Sequence, residues 1–269
     1  MTEHAIIAAT PEPRTRESLA SGLSRLGVTP GMTLLVHCAL SRLGWVSGGA
    51  QTVVRALLDA VGPAGTVVMP AQSSQLSDPA NWQAPAVPPA WIATIQATLP
   101  PFDPRTTPTR GMGAVAELFR TWPGARRSPH PLCSFAALGP LAESITATQA
   151  LGDPFGHGGP LGCLYRERAG ILLLGTGFDA CTALHMAEAL ASPPPPRISE
   201  GAPVWMDGQR RWVAFDLPAG DADRFPSLGE ALVRQGLART GQVGSASCHL
   251  LDLRAVVDAA ARLMTETNR

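Results

Sequence analysis

The sequence predicts an α/β protein of three layers, with helices on both faces of a mostly parallel central sheet. Short apolar runs at 33–37, 65–69 and 170–175 alternate with stretches of helical periodicity. The order strand, loop, helix, strand implies parallel pairing through right-handed crossovers. In such sheets the functional loops gather at the carboxyl ends of the strands.

Taken in order, Thr15 is placed to cap a helix whose Leu19, Leu23 and Leu26 recur at i, i+4 and i+7, with Gly27 closing it. The strand at 33–37 enters a Gly-rich bend at 44–49. Val53, Val54, Leu57, Leu58 and Val61 then form a helical stripe ended by Gly62-Pro63, and 65–69 is a second buried strand. Between 71 and 108 stand eight of the 26 Pro residues, with Trp82 and Trp91. That is too many breakers for a sheet element and too many aromatics for a passive linker, so the segment reads as a substrate-covering insertion. Helical periodicity returns at 113–122, 134–138 is strand-like, and 170–175 is the central strand. A helix at 182–190 is stopped by Pro193 to Pro196. Asp207-Gly208 predicts an antiparallel hairpin over 203–217, appended to the main sheet. The tail repeats helix, strand, helix at 227–239, 241–250 and 252–264. One domain over 1–269 is expected.

Composition narrows the function. Hydrophobic residues make up 45% and charged residues 16%, enough apolar area for a compact core. Twenty-one acidic residues balance 21 basic ones, so no global field draws in a nucleic acid or an anionic membrane. Every basic residue is Arg, which removes Walker-type phosphate loops, Schiff-base chemistry and a Lys general base. Five Cys, odd in number and without a C-x-x-C pair, suit neither a zinc knuckle nor a disulfide framework, and no metal site is expected. No apolar run approaches the roughly 20 residues that span a bilayer, and 1–10 lacks the cationic leader of a signal peptide. A reduced cytoplasm is the expected home, as monomer or homodimer.

The densest polar constellation follows the central strand, from Gly175 to Glu188. On a helix beginning near Thr182, His185 and Glu188 stand three apart on one face, with Asp179 just outside the start. A carboxylate on one ring nitrogen fixes the imidazole tautomer and frees the other nitrogen to take a proton. The bland alternative is a satisfied helix histidine beside a solvated Glu. Gly175-x-Gly177-x-x-Ala180 also matches a dinucleotide fingerprint, although Asp179 would set a carboxylate beside the pyrophosphate. His37 and Cys38 end the first strand. As neighbours they point to opposite faces, so packing suits Cys38 better than a nucleophile pair. The run 107–115 brings hydroxyls, Arg110 and two Gly to a helix start, which suits an anion or an ordinary cap equally.

Several of these motifs, in order and spacing, resemble the aminoglycoside 3-N-acetyltransferases. They are Val36-His37, Leu40-Ser41-x-Leu43-Gly44, Gly48-Gly49, Gly65-Thr66-x-x-Met69-Pro70, Asp78-Pro79-x-x-Trp82, Phe102-Asp103-Pro104, Thr107-Pro108-Thr109-Arg110-x-Met112-Gly113, His130-Pro131, and Gly175-x-Gly177-x-Asp179-x-x-Thr182-x-Leu184-His185-x-x-Glu188. The resemblance implies an α/β/α fold, acetyl-CoA as donor and a 2-deoxystreptamine aminoglycoside as acceptor. His185 takes the general-base position, with Asp179 and Glu188 as the carboxylates around it. His37, Cys38, Ala39 and Leu40, with Thr109, Arg110, Met112, Gly113, Val115 and Phe135, take the coenzyme positions. Asp78, Trp82, Asp103 and Thr182 are expected at the acceptor. The chain departs from the family's usual pair of Ser after His37, having Cys38 and Ala39. It also has Ala180 and Cys181 where polar residues are usual. Two alternatives stay open: a coenzyme-A-dependent transferase for another small amine, and a drug- or coenzyme-binding protein with an inert histidine.

Overall fold

The structure, a computed structural model, describes residues 2–267, so the expected domain ends at 1 and 269 lie outside the described residues. The strands are β1 (Thr33–Cys38), β2 (Thr66–Pro70), β3 (Arg126–Arg127), β4 (Phe135–Leu138), β5 (Gly170–Leu174), β6 (Arg197–Met206), β7 (Gln209–Pro218), β8 (Ala238–Val243) and β9 (Ala246–Asp252). The helices are α1 (Glu3–Ala8), α2 (Arg16–Leu26), α3 (Gly49–Val61), α4 (Ile92–Thr98), α5 (Gly113–Arg120), α6 (Ala142–Thr146), α7 (Pro160–Arg166), α8 (Ala183–Leu190), α9 (Phe225–Arg234) and α10 (Leu253–Thr267).

Seven strands form the main sheet in the order β3-β4-β2-β1-β5-β9-β8. The parallel pairing expected from the crossovers holds at the centre, where β1 lies between β2 and β5. Both flanks pair antiparallel, so the sheet is mixed. On one side the cause is the tail. The strand expected at 241–250 is a hairpin of β8 and β9, whose return strand runs against β5.

Strand alternation feeds two cores. Leu34, Val36, Val67, Met69 and Leu172 pack with α2, α3 and α5, while Leu35, Val68, Ile171 and Leu173 pack with α6 to α10. This is the three-layer arrangement. Thr15 caps α2 with a reciprocal bond pair with Ser18, a device worth about 1 kcal/mol to a helix.

β6 and β7 pair along their whole length as a separate sheet. Asp207 and Gly208 both have positive φ, 51° and 73°, as this tight turn requires. The hairpin does not extend the main sheet. It packs instead on the Pro-rich insertion, where Leu76, Phe102, Leu132 and Ala202 make a third small core with Phe215 and Leu217 against it. The Phe102 amide donates to the Pro203 carbonyl at 2.9 Å, and Asn81 Nδ2 donates to the Ser199 carbonyl at 2.9 Å.

Candidate active site

β1 and β5 are parallel neighbours, yet the helices that follow them go to opposite faces. α3 packs in one core and α8 in the other. Chains that diverge in this way leave a crevice outside the carboxyl ends of their strands. Ligand clefts at such places hold roughly 300–1,000 Å³. Here the cleft measures ≈ 570 Å³ and is lined by His37, Cys38 and Ala39 from the end of β1 and by Thr176, Asp179, Ala180, Thr182 and His185 from the chain after β5.

His185 lies in the first turn of α8 and Glu188 one turn on. His185 Nδ1 and Glu188 Oε2 are 2.7 Å apart. With Nδ1–H donating to the carboxylate, Nε2 is left as the accepting nitrogen. Glu188 is buried, and its other oxygen accepts the Asp221 amide at 2.7 Å. The carboxylate is therefore held at both ends. Phe155 stacks on the His185 ring with centroids 4.9 Å apart and planes 18° apart, and Phe225 meets it edge-on at 4.9 Å. Phe135, buried in the core, supports Phe155 edge-on at 6.4 Å.

Of the residues read from the sequence, His185, Asp179, Thr182, His37, Cys38, Ala39, Met112 and Gly113 come together at this cleft. Asp179 stands exposed on the 3-10 turn Phe178–Ala180, and Glu188, not Asp179, bonds the imidazole. Leu40 lines an adjoining pocket of ≈ 460 Å³ that shares Cys38, Ala39 and Gly113 with the cleft. Val115 and Phe135 are core residues whose side chains do not line it. Thr109 gives both its amide and its hydroxyl to Glu117, at 2.7 and 2.6 Å, and so braces the loop before α5. Arg110 is exposed beside that loop, its amide bonded to the Gln72 carbonyl at 2.9 Å.

Asp78, Trp82 and Asp103 do not line the cleft. Asp78 caps Ala80 and accepts from Gln96, Trp82 Nε1 donates to Ser77 at 2.8 Å, and Asp103 caps Arg105 and Thr106. Gln72 alone represents the 71–108 insertion in the lining. His130 is fully bonded, accepting the Leu132 and Cys133 amides and facing the Leu151 carbonyl, which makes it a turn-building residue.

Several neighbours of His185 carry no local sequence signal. Phe155 sits in a Gly-rich loop, and the segment from Gly220 to Ala222 follows the hairpin. Both reach His185 only through tertiary packing. Thr176 looks like one hydroxyl among several until its burial is seen.

Electrostatics sorts the nucleophile and base candidates. Burial, with a smaller contribution from Cys248, pushes the Cys38 thiol up to about 12, so it holds almost no thiolate near neutrality. Burial also holds His37 down at about 3, a neutral ring at working pH. Its side chain belongs to the α8 face, whereas Cys38 packs with the opposite core, and the two do not form a pair. The dinucleotide fingerprint lacks its helix. The 3-10 turn intervenes, and α8 starts only at Ala183, past the glycines.

Two side-chain atoms at the cleft lack partners within the protein. His37 Nε2 and Thr176 Oγ1 are buried with no hydrogen-bond partner in the protein, and a buried polar group left unpaired costs about 1–3 kcal/mol. At the mouth, α5 begins after Met112 with no side-chain cap, so its first amides have no side-chain acceptor.

Known proteins resemble this chain over nearly its whole length. The family model described as aminoglycoside 3-N-acetyltransferase matches residues 35–265. The SPbeta prophage-derived aminoglycoside N(3')-acetyltransferase-like protein YokD of Bacillus subtilis is 41% identical over 256 residues, covering 95% of this chain and 94% of that one. Its crystal structure superposes with a TM-score of 0.96 over 98% of both chains. Aminoglycoside N(3)-acetyltransferase VII of Streptomyces paromomycinus is 35% identical over 99% of this chain and 96% of its own. A solved binary complex of AAC-IIIb with CoASH is 33% identical, with a TM-score of 0.85 over 95% of this chain and 98% of that one. The chain belongs to the aminoglycoside 3-N-acetyltransferase family, enzymes whose acyl donor is acetyl-CoA.

Proposed function

We propose that the protein moves an acetyl group from acetyl-CoA to the 3-amino group of a 2-deoxystreptamine aminoglycoside, by direct transfer with His185 as general base. The observation that carries this reading is the 2.7 Å contact between His185 Nδ1 and Glu188 Oε2, on a ring that borders the cleft. An aliphatic ammonium must lose a proton before it can attack, and a positioned base supplies about 10²–10⁴ in rate.

Acetyl-CoA supplies the acyl group as a thioester. The main chain at His37 to Leu40 and the start of α5 hold the coenzyme, along the seam where the cleft and the adjoining pocket share Cys38, Ala39 and Gly113. The ammonium first gives one proton to solvent; the free amine's lone pair then forms the C–N bond while His185 Nε2 takes a second proton from the same nitrogen, and the C–S bond breaks. The leaving thiolate takes the proton that His185 holds. Glu188 keeps the ring in the required tautomer throughout, and Asp179 offers the cleft a carboxylate for a cationic acceptor.

The lining holds no carboxylate besides Asp179. That sparseness favours a second reading, in which the acceptor is a less cationic small amine. Thiol release measured with acetyl-CoA and a panel of gentamicin-like drugs, neomycin-like drugs and simple amines tests both. Acetylation of the drugs at the 3-amine is expected, and His185→Ala is expected to lose roughly 10² or more of kcat while still binding coenzyme. A near-normal kcat in that variant overturns the base assignment. Turnover confined to simple amines transfers the conclusion to the second reading.

A further inference from the structure

Among the described residues, four buried side-chain polar atoms lack a partner: Arg14 Nε, His37 Nε2, Gln75 Oε1 and Thr176 Oγ1. Two of the four belong to residues that line the cleft of His185. Native interiors seldom leave such groups unpaired, and two of them at one cleft call for a shared partner there.

Local structure explains their meeting. His37 is in register with Leu173 of β5 and is only 7% exposed. Beyond β5 the chain turns at Gly175, whose φ of 74° suits glycine, as does the space around it, where a Cβ would stand 3.0 Å from Arg42 Cβ and 3.1 Å from Ala246 Cβ. That turn brings Thr176 back to the end of β1. Burial keeps the His37 imidazole uncharged, so it is fitted to donate a hydrogen bond and unfitted to store a proton. A hydroxyl and a neutral ring N–H, in a cleft that also borders the uncapped start of α5, are donors matched to an oxygen gathering negative charge.

We infer that the His37 imidazole and the Thr176 hydroxyl seat the acyl oxygen of the bound thioester, each donating a hydrogen bond to it. The inference rests on the acetyl-transfer reading of this cleft. As the amine forms its C–N bond, the carbonyl electron pair moves onto that oxygen, and it returns when the C–S bond breaks. His37 and Thr176 exchange no proton in either step. Together they separate the work of holding the oxygen from the work of the His185–Glu188 pair.

The test uses full-length Thr176→Val, Thr176→Ser and His37→Phe proteins. Thr176→Val and His37→Phe are expected to lose about 10²-fold in kcat, with KM for acetyl-CoA changed by less than about threefold. Thr176→Ser, which keeps the hydroxyl, retains most of the wild-type kcat. The thermal midpoint of Thr176→Val is expected to hold or rise, because an isosteric methyl replaces an unpaired buried hydroxyl. Calorimetric titration without acceptor adds an arm independent of turnover. Wild type is expected to prefer acetyl-CoA over free coenzyme A, and the Val and Phe variants to bind both alike.

A Thr176→Val enzyme with near-normal kcat, or an acetyl preference that survives both substitutions, overturns the inference. So does a loss of free coenzyme A affinity in step with kcat, which assigns the pair to an amide of the pantetheine arm. A Thr176→Val midpoint that falls along with kcat gives the hydroxyl a structural role and also overturns it. If wild type keeps the acetyl preference but acetylates no amine, the acetyl-transfer reading fails while the oxygen seat stands.

Discussion

Gly220 lies directly against the His185 ring, so that a Cβ at residue 220 would stand 2.6 Å from the imidazole Nδ1 and 2.8 Å from Glu188 Oε2. The next residue, Asp221, gives its amide to Glu188 at 2.7 Å, and Ala222 lines the cleft. The strap that leaves the β6–β7 hairpin thus closes over the His185 ring and the Glu188 carboxylate.

Gly220→Ala is therefore expected to push the ring or the carboxylate out of place. No backbone strain is involved at this position, only contact. Because a misplacement of 1 Å can cost about 10²-fold, kcat should fall by at least about tenfold while the protein stays folded by circular dichroism. Unchanged kcat would show that the strap yields at no cost.

The carboxylate accepts at both oxygens, one bond from a ring N–H and one from a backbone N–H. Glu188→Gln keeps the shape but can accept at only one of them. The amide end then faces a donor, and the tautomer that leaves Nε2 free loses its support. A fall in kcat of roughly 10²–10⁴ is expected, with coenzyme binding by calorimetry preserved.

Phe155 stacks face-on over the His185 ring at 4.9 Å. Aromatic pairs contribute about 0.5–1.5 kcal/mol beyond area burial, and here that contribution fixes a ring plane. Phe155→Leu should lower kcat by about tenfold and leave KM for acetyl-CoA near wild type, while Phe155→Tyr recovers most of the loss. Equal kcat in the Leu and Tyr variants would remove the stack from the mechanism.

Burial holds His37 at about 3 and His130 at about 4, both below the ordinary 6.5. The unfolded chain takes up these protons first, so the stabilisation is complete above about pH 6.5 and declines as pH falls toward the folded values. The slope reaches about 1.4 kcal/mol per pH unit for each ring. Glu117, brought down to about 2 by bonds from Arg120 and Thr109 against the opposing effect of burial, adds acid sensitivity only below its ordinary 4.5. Tm should therefore drop between about pH 6.5 and 4.5, and His37→Phe should flatten the drop. A level Tm across that interval in the wild type would contradict the burial of these rings as neutral species.

Elements with a local period were legible in the sequence. Thr15 and Gly27 bracket a helix as expected, Asp207-Gly208 turns a hairpin, and His185 and Glu188 share a helix face. Readings that depended on pairing partners fared unevenly. The tail strand proved to be two because the turn after Val243 sends the chain back along β5, and the hairpin found its partner in the Pro-rich insertion rather than the sheet. Asp78 and Asp103 have the chemistry of a cation site, but their carboxylates are occupied as caps, which only coordinates reveal.

What the sequence determined alone is the set of interactions that span a few residues: caps, turns, apolar periods and the i, i+3 pairing of His185 and Glu188. Tertiary structure decided what surrounds the His185 ring. Phe155, the segment from Gly220 to Phe225, the buried His37 and the buried hydroxyl oxygen of Thr176 come from four separate stretches of chain. Their proximity follows from close packing at the switch point between β1 and β5, and packing of that kind leaves no period in the chain to read.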